Sequence, residues 1–324
     1  MKIACKVLGL FLALALVGAA SESTAQSFPS RPIRLVDGYP PGGGTDILGR
    51  IVAQKLSEQV GQPVIVENRP GANSITAAEY VAKAAPDGYM LFIGATGAMV
   101  FNLGLYGRLP YDPVKDFVPI TLFASSPLVF AVHPSVPANS IKDLIELARA
   151  KPGAMFYSAG AAPFHVAAEL FKQQAGVNLV HVPYKGSPAS IAGAVAGEVS
   201  MVAVIIAPAL PQLRAGKLRA LAVTGSRRSA LLPDVPTMME SGLDFQSGSW
   251  TGLFAPAGTP NAIISRLYSE LLVILKSDSI RERFAGLSYD TGDMGMPPAE
   301  FGAMHRAELA KWTKVTRDLN IRAD

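Results

Sequence analysis

The chain has 324 residues, with 29 Lys and Arg against 25 Asp and Glu, a net charge of +4 and one cysteine. So mild a basic excess, without a run of Lys or Arg, leaves no footprint for nucleic acid, and a small anionic ligand suits the balance without being required by it. The length suits two domains of ordinary size, each with its own core.

The first residues read as a leader rather than as fold. Lys2 and Lys6 precede an apolar run from Val7 to Ala20, and Ser23 and Ala25 are small residues at the positions a signal peptidase reads. The run is short of the ~18 apolar residues a membrane span needs, so residues 1–25 are expected to be a secretory signal peptide. Cys5 lies before the apolar run, not after it where a lipoprotein cysteine would sit, and is expected to leave with the leader. The mature chain then has no thiol, which excludes disulfides, thiolate metal sites and cysteine nucleophiles.

Beyond the leader, short β-rich runs alternate with helical ones. "IRLV" is followed by "YPPGGGTD", Tyr39 to Asp46, and by a helix in which Leu48, Ile51, Val52 and Leu56 form an apolar stripe. Gly42, Gly43 and Gly44 let backbone N–H groups approach a ligand with no Cβ between, and the helix end that follows carries a partial positive charge, so the turn suits an anion. The plainer alternative is a strand-to-helix turn with Thr45 or Asp46 as N-cap. "VIVEN" then leads to a helix over Ser74–Ala84, and "YMLFIG" to a loop over Ala95–Asn102 that contains Thr96. This is the βαβ rhythm of a parallel sheet.

"FVPITLFASSPLVFAVHPS" breaks the rhythm with two apolar runs on either side of a predicted Ser-Ser-Pro turn. Alternation resumes in a second block, whose first helix, Ser140–Ala150, opens with Ser140 and Asp143 at the spacing of a capping box. In that block "YSAGAAPFHVAAELF" is a second small-residue loop entering a helix, and "PYKGS" puts Tyr184 and Lys185 at a strand end. "QSGSWTGLFAPAGTP" crosses back, and helical sequence follows from Asn261. Two α/β blocks joined by two non-helical crossings predict two lobes and a hinge, with roughly residues 28–123 and 248–324 in one lobe and roughly 124–247 in the other. Both small-residue loops fall at the carboxyl ends of strands, where α/β lobes bind ligands.

Catalytic constellations are missing. There is no H-E-x-x-H, G-x-S-x-G, Walker lysine motif or full G-x-G-x-x-G. His133, His165, His181 and His305 fit no metal spacing and read as structural or surface histidines, with His165, one turn into the second loop-helix, having the best functional case. Asp112, Lys115 and Asp116 read as turn chemistry, Arg227 and Arg228 as a solvated pair. No catalytic residue, cofactor or metal is assigned.

"RPIRLV…YPPGGGTD", "VENRPGA", "APDGY", "LPYDPVKDF", "VPYKGS", "AGKLRALAVT", "LPDVPT" and "GLFAPAGTP" occur in the order and spacing of a known family. Across nearly all of its length beyond the leader, the chain resembles the Bug-type extracytoplasmic solute receptors of tripartite tricarboxylate transporters. The resemblance implies an α/β periplasmic binding protein of type II, the Venus-flytrap arrangement, with a parallel-rich sheet in each lobe and a two-crossing hinge. It implies a monomer that captures a small carboxylate, held by backbone amides and ordered water at the two small-residue loops, and delivers it to a membrane permease.

Carried over by position, the candidate ligand contacts are Tyr39, Pro41, Gly42, Gly43, Gly44, Thr45 and Asp46 at the first loop, Thr96 after the third strand, Ser158, Gly160, Ala161, Ala162 and His165 at the second loop, then Tyr184 and Val204. The second loop departs from the family pattern: Ala162 and Pro163 stand near its usual Gly-Ser pair, and the loop is one residue shorter. Val204 stands for a frequent Asp, Met99 for a frequent His, and Asp37-Gly38 for an apolar-proline pair. These apolar replacements predict a ligand with one carboxylate and an apolar body, an aromatic or short aliphatic acid. A secreted hydrolase acting on a small acid is the alternative, but it needs a nucleophile with a base in reach, which the sequence does not offer. A cytoplasmic ligand-sensing domain fails on the leader.

Overall fold

In the computed structural model the described residues are 28–322; the predicted leader and Cys5 lie outside them. The first block runs β1 (Ile33–Asp37), α1 (Gly44–Val60), β2 (Val64–Asn68), α2 (Ile75–Ala82) and β3 (Met90–Ala95), then a π-helical turn over Gly97–Phe101 that continues as α3 (Asn102–Tyr106). Strand β4 (Phe117–Val132) leads into α4 (Ile141–Ala150), β5 (Phe156–Ala159), α5 (Ala162–Ala175), β6 (Val180–Pro183), α6 (Ser187–Val195), β7 (Met201–Ile205), α7 (Ile206–Arg214) and β8 (Arg219–Val223). Strand β9 (Gly248–Pro256) is followed by α8 (Asn261–Lys276), α9 (Asp278–Ala285) and α10 (Pro298–Asp318).

Each lobe has a parallel core closed by antiparallel strands. β2, β1 and β3 run parallel, and β9 adds antiparallel to β3. β6, β5 and β7 run parallel in the second sheet. Strand β4 serves both: Phe117–Pro127 pairs with β9, while Leu128–Val132 pairs with β7 and β8. The predicted Ser-Ser-Pro turn is therefore corrected, because the strand runs on through Ser125, Ser126 and Pro127. Proline lacks a ladder donor, and Pro127 falls where β4 changes sheets. The two crossings are knotted at buried Thr224, whose hydroxyl accepts from the Leu128 N–H at 2.9 Å and donates to the Ser247 carbonyl.

Local sequence accounts for the elements that point at the cleft. In α1 the predicted stripe of Leu48, Ile51, Val52 and Leu56 is buried, and Gly61 ends the helix in the left-handed conformation with its N–H on Ser57 O. The α4 capping box forms, Ser140 and Asp143 each accepting from the other's N–H at 3.1 Å. Helix α10 packs on the π turn, α3 and β4, and α8 packs on α1. Around them lies an aromatic core of Phe92, Phe117, Trp250, Phe254 and Phe301. Ala162 and Val166 of α5 belong to that same core, so the two lobes share apolar contact. The lobes are shut on one another, and the chain from Arg31 onward is one compact unit.

Candidate functional site: a cleft walled by helix N-termini

The first glycine turn is held from beneath. Asp37, fully buried at the end of β1, accepts from the Tyr39 N–H at 3.1 Å and from the Thr45 hydroxyl at 2.9 and 3.0 Å. Asn68 donates to the Tyr39 carbonyl at 3.0 Å and to Asp46 at 2.9 Å. Asp46 accepts from the Gly42 N–H at 2.9 Å and is gripped by Arg50. The N-cap of α1 is Gly43, which has no side-chain bond to offer, so neither Thr45 nor Asp46 caps the helix: both lie in its first turn and reach back into the loop. Among the described residues, the N–H groups of Gly44 and Thr45 have no acceptor. First-turn N–H groups point out along the helix axis, here toward the cleft.

The opposite wall repeats the arrangement. Helices α5, α6 and α7 start at Ala161, Gly186 and Ile205, none of which supplies a side-chain cap. These ends meet α1 across a cavity of about 30 Å³ bordered by Tyr39, Gly44, Thr45, Ala161, Ser187 and Ile205. The approach is close: a Cβ added to Gly44 would stand 1.9 Å from Cδ1 of Ile205, and one added to Gly186 2.7 Å from Pro40 Cδ. Gly186 also has φ +88°, a conformation side chains resist. Ser126, Ser249 and Thr251 from the crossing strands, with Tyr289, complete the polar lining, and Ala95, Pro163 and Phe164 the apolar lining.

No side chain that borders the cavity is a carboxylate, ammonium, guanidinium or imidazole. Its polarity comes from hydroxyls and peptide groups. The Tyr39 hydroxyl is buried with no hydrogen-bond partner among the described residues, and burial raises its pKa far above the ordinary value. Tyr289 donates to the Gly44 carbonyl at 3.0 Å. Just behind the wall, burial pushes the Asp37 carboxyl up to about 8, against the hydrogen bonds from Thr45 and the Tyr39 N–H that favour its charged form. Burial would raise Asp46 too, but bonds from Arg50, Gly42 N–H and Asn68 outweigh it and hold this carboxyl below its usual range. Ser126 bonds the Pro127 carbonyl and Ser249 bonds Thr96, so neither is paired with a base. Among the described residues no cluster of His, Cys, Asp or Glu could hold a metal.

Of the residues expected at the ligand, Tyr39, Gly43, Gly44, Thr45 and Ala161 border the cavity. Pro41 and Gly42 are exposed at the rim, and Asp46 lies below the turn. Thr96 stands one step back, bonded to Ser249 at 2.8 Å. Ser158 donates instead to the Ser190 carbonyl at 3.2 Å, and Gly160 packs on the backbone of Gly186. Ala162 is in the apolar core. The His165 ring lies between the Tyr157 hydroxyl at 3.0 Å and the Arg322 carbonyl at 3.2 Å, tilted by 37° against His181 with ring centroids 4.2 Å apart. Tyr184 turns outward to Glu198 at 2.8 Å. Val204 is buried in the sheet opposite Val129, and its neighbour Ile205 reaches the cleft. Sequence reasoning missed Ser126, Ser187, Ile205, Ser249, Thr251 and Tyr289. "KGS", which ends at Ser187, was the one signal available, a third glycine ahead of a helix.

Two α/β lobes, joined by two crossings and shut on a cavity walled by helix N-termini, define a two-lobed solute-binding protein. The family model described as "Tripartite tricarboxylate transporter family receptor" matches residues 48–321. BugT of Bordetella pertussis is 34% identical, with 96% of each chain covered. Two solved structures from Rhodopseudomonas palustris superpose closely. Rpa4515, described with adipate, is 36% identical at a TM-score of 0.88, covering 91% of this chain and 99% of that one. MatC, described with bound malate, is 30% identical at a TM-score of 0.84, covering 89% and 99%. The chain belongs to the receptor family of tripartite tricarboxylate transporters, whose members bind solutes and are not enzymes.

Proposed function

We propose that this chain is a periplasmic receptor that closes its lobes on a small carboxylate and delivers it to the permease subunits of a tripartite tricarboxylate transporter. The observation that carries the reading is the convergence on one cavity of the N-termini of α1, α5 and α6, none with a side-chain cap, while Ile205 at the start of α7 adds an apolar wall. Such ends favour an anion through their unpaired N–H groups and aligned peptide dipoles. The carboxylate is assigned to the N–H groups of Gly44, Thr45, Ala162 and Ser187, with the Tyr39 hydroxyl as a side-chain donor. Pro41, Gly42, Asp46, Ser158, Gly160, His165, Tyr184 and Val204 then act by shaping the loops and lobes rather than by contact. Action as a monomer is part of the same proposal. Lobes of residues 28–123 with 248–324 and of 124–247 are supported by the change of partners along β4.

The ligand proposed is a monocarboxylate with an apolar body. A second carboxylate buried without donors of its own would cost several kcal/mol, and the cavity holds no cation to offset it. The relatives described with adipate and malate make dicarboxylates the natural competitors. Native mass spectrometry of protein purified without refolding, followed by calorimetry with benzoate, a short aliphatic acid, adipate, malate and citrate, tests both levels. Tightest binding of a monocarboxylate is expected. Tightest binding of adipate, malate or citrate would overturn the monocarboxylate assignment, and binding of no carboxylate would overturn the receptor reading.

A further inference from the structure

Asp37 carries a chemistry that the binding reading leaves unused. It is a fully buried carboxyl directly behind the turn that faces the cavity, and among the described residues no Lys or Arg nitrogen lies within 4.0 Å of it. The nearby guanidinium, Arg50, is committed to Asp46 and Asn68. Both Asp37 oxygens lie within hydrogen-bond distance of one atom, the Thr45 hydroxyl oxygen, at 2.9 and 3.0 Å. Thr45 itself borders the cavity.

One proton decides what this pair presents to an anion. If Asp37 is ionised, the single Thr45 hydroxyl hydrogen is held by the carboxylate, and Thr45 turns lone pairs to the cavity with a negative charge behind them. If Asp37 is protonated, its O–H donates to the Thr45 oxygen and frees the Thr45 hydrogen to point at the ligand. Two carboxylates so close in a buried loop cannot both ionise without a counter-charge. We propose that Asp37 is a positioning and selectivity residue that, when protonated, turns Thr45 into a donor toward the bound carboxylate, so that the protonated form is the one that binds and, above the Asp37 midpoint, binding takes up one proton. The inference rests on a carboxylate sitting at this loop.

Every other charged neighbour is accounted for. On α1, Asp46 and Arg50 act on Asp37 in opposite senses and pair with one another; on β2, the neutral Asn68 amide reaches Asp37 Oδ2 only at 3.5 Å; on the loop, the Tyr39 hydroxyl stays protonated well above the working range. The direction of the Asp37 shift, upward through burial to about 8, agrees with a carboxyl that is neutral in the folded protein near neutral pH.

The test has two arms on the full chain. In the first, carbon NMR follows the Asp37 carboxyl of the ligand-free protein through pH: titration above about 7 is expected, and titration below about 5 overturns the proposal whether or not any ligand binds. In the second, calorimetry with benzoate and with adipate, both fully ionised throughout, runs from about pH 6.5 to about pH 9.5. Affinity is expected to be flat at the low end and to fall about tenfold per unit above the Asp37 midpoint. Asp37→Asn, whose amide donates to Thr45 at every pH, should lose that slope. A wild-type affinity independent of pH, or an Asp37→Asn profile with the wild-type slope, overturns the proposal. If neither probe binds at any pH, it is the assignment of a carboxylate ligand that fails, and the NMR arm still decides the state of Asp37.

Discussion

Gly44 in the first lobe and Ile205 in the second close the cleft on each other so tightly that a Cβ on Gly44 would lie 1.9 Å from the Ile205 side chain. The same glycine accepts a hydrogen bond from Tyr289, 245 residues away, at 3.0 Å. One position thus joins the turn, the opposite lobe and the C-terminal segment. The glycine is required by this approach and not by its backbone angles, since its φ is not in the left-handed region.

Gly44→Val is therefore expected to abolish binding by two routes, filling the anion's place and preventing closure onto Ile205. Overpacking a site that can relieve itself by lobe opening should cost only about 1–2 kcal/mol of stability. Small-angle scattering showing a more open particle, alongside a modest shift in melting, is the expected pair of results; a compact variant with wild-type affinity would refute it.

Thr45→Ala is expected to cost about 1–3 kcal/mol, measured by denaturant unfolding near neutral pH. The loss comes from leaving buried Asp37 short of its hydroxyl partner, since the N-cap of the helix is Gly43. Thr45→Ser, which keeps the hydroxyl, should recover most of it.

Asp37 makes stability depend on pH in a definite direction. Its carboxyl is raised from 3.8 to about 8 by burial, so the fold binds a proton that the unfolded chain releases. The stability this group contributes is complete below 3.8 and is lost as pH climbs toward about 8, on the order of a few kcal/mol. Unfolding curves at intervals of pH should show the wild type losing stability relative to Asp37→Asn across that window and no further above it. Equal slopes for the two proteins would refute the assignment.

Thr224→Val should weaken the hinge. Its hydroxyl serves Leu128 in one crossing and Ser247 in the other, and the isosteric valine leaves both peptide groups without that partner. A loss of about 1–3 kcal/mol in chemical unfolding is expected, with ligand contacts left in place.

Much of the architecture was legible because its punctuation is local. Glycine, proline and capping residues mark the turn at Tyr39–Asp46 and the start of α4, and apolar spacing marks the buried face of α1. The parts that were not legible depend on phase or distance. β7 reads "MVAVI", apolar throughout and buried on both faces, so no alternation tells that Ile205 rather than Val204 meets the ligand side. His165 sits one turn into α5, close in sequence to Ala161, yet the helix turns its ring to Tyr157 and Arg322. Tyr289 approaches Gly44 only through tertiary folding, and nothing around it in the chain distinguishes it from a core tyrosine.

The central claim is that a carboxylate is gripped by helix N-termini at the cleft, and amide NMR of the full receptor during a carboxylate titration tests it most directly. Saturable downfield shifts of the Gly44, Thr45, Ala162 and Ser187 N–H signals are predicted, as each gains a charged acceptor. Saturable binding that leaves these four amides unmoved, with shifts confined to another part of the surface, would contradict it.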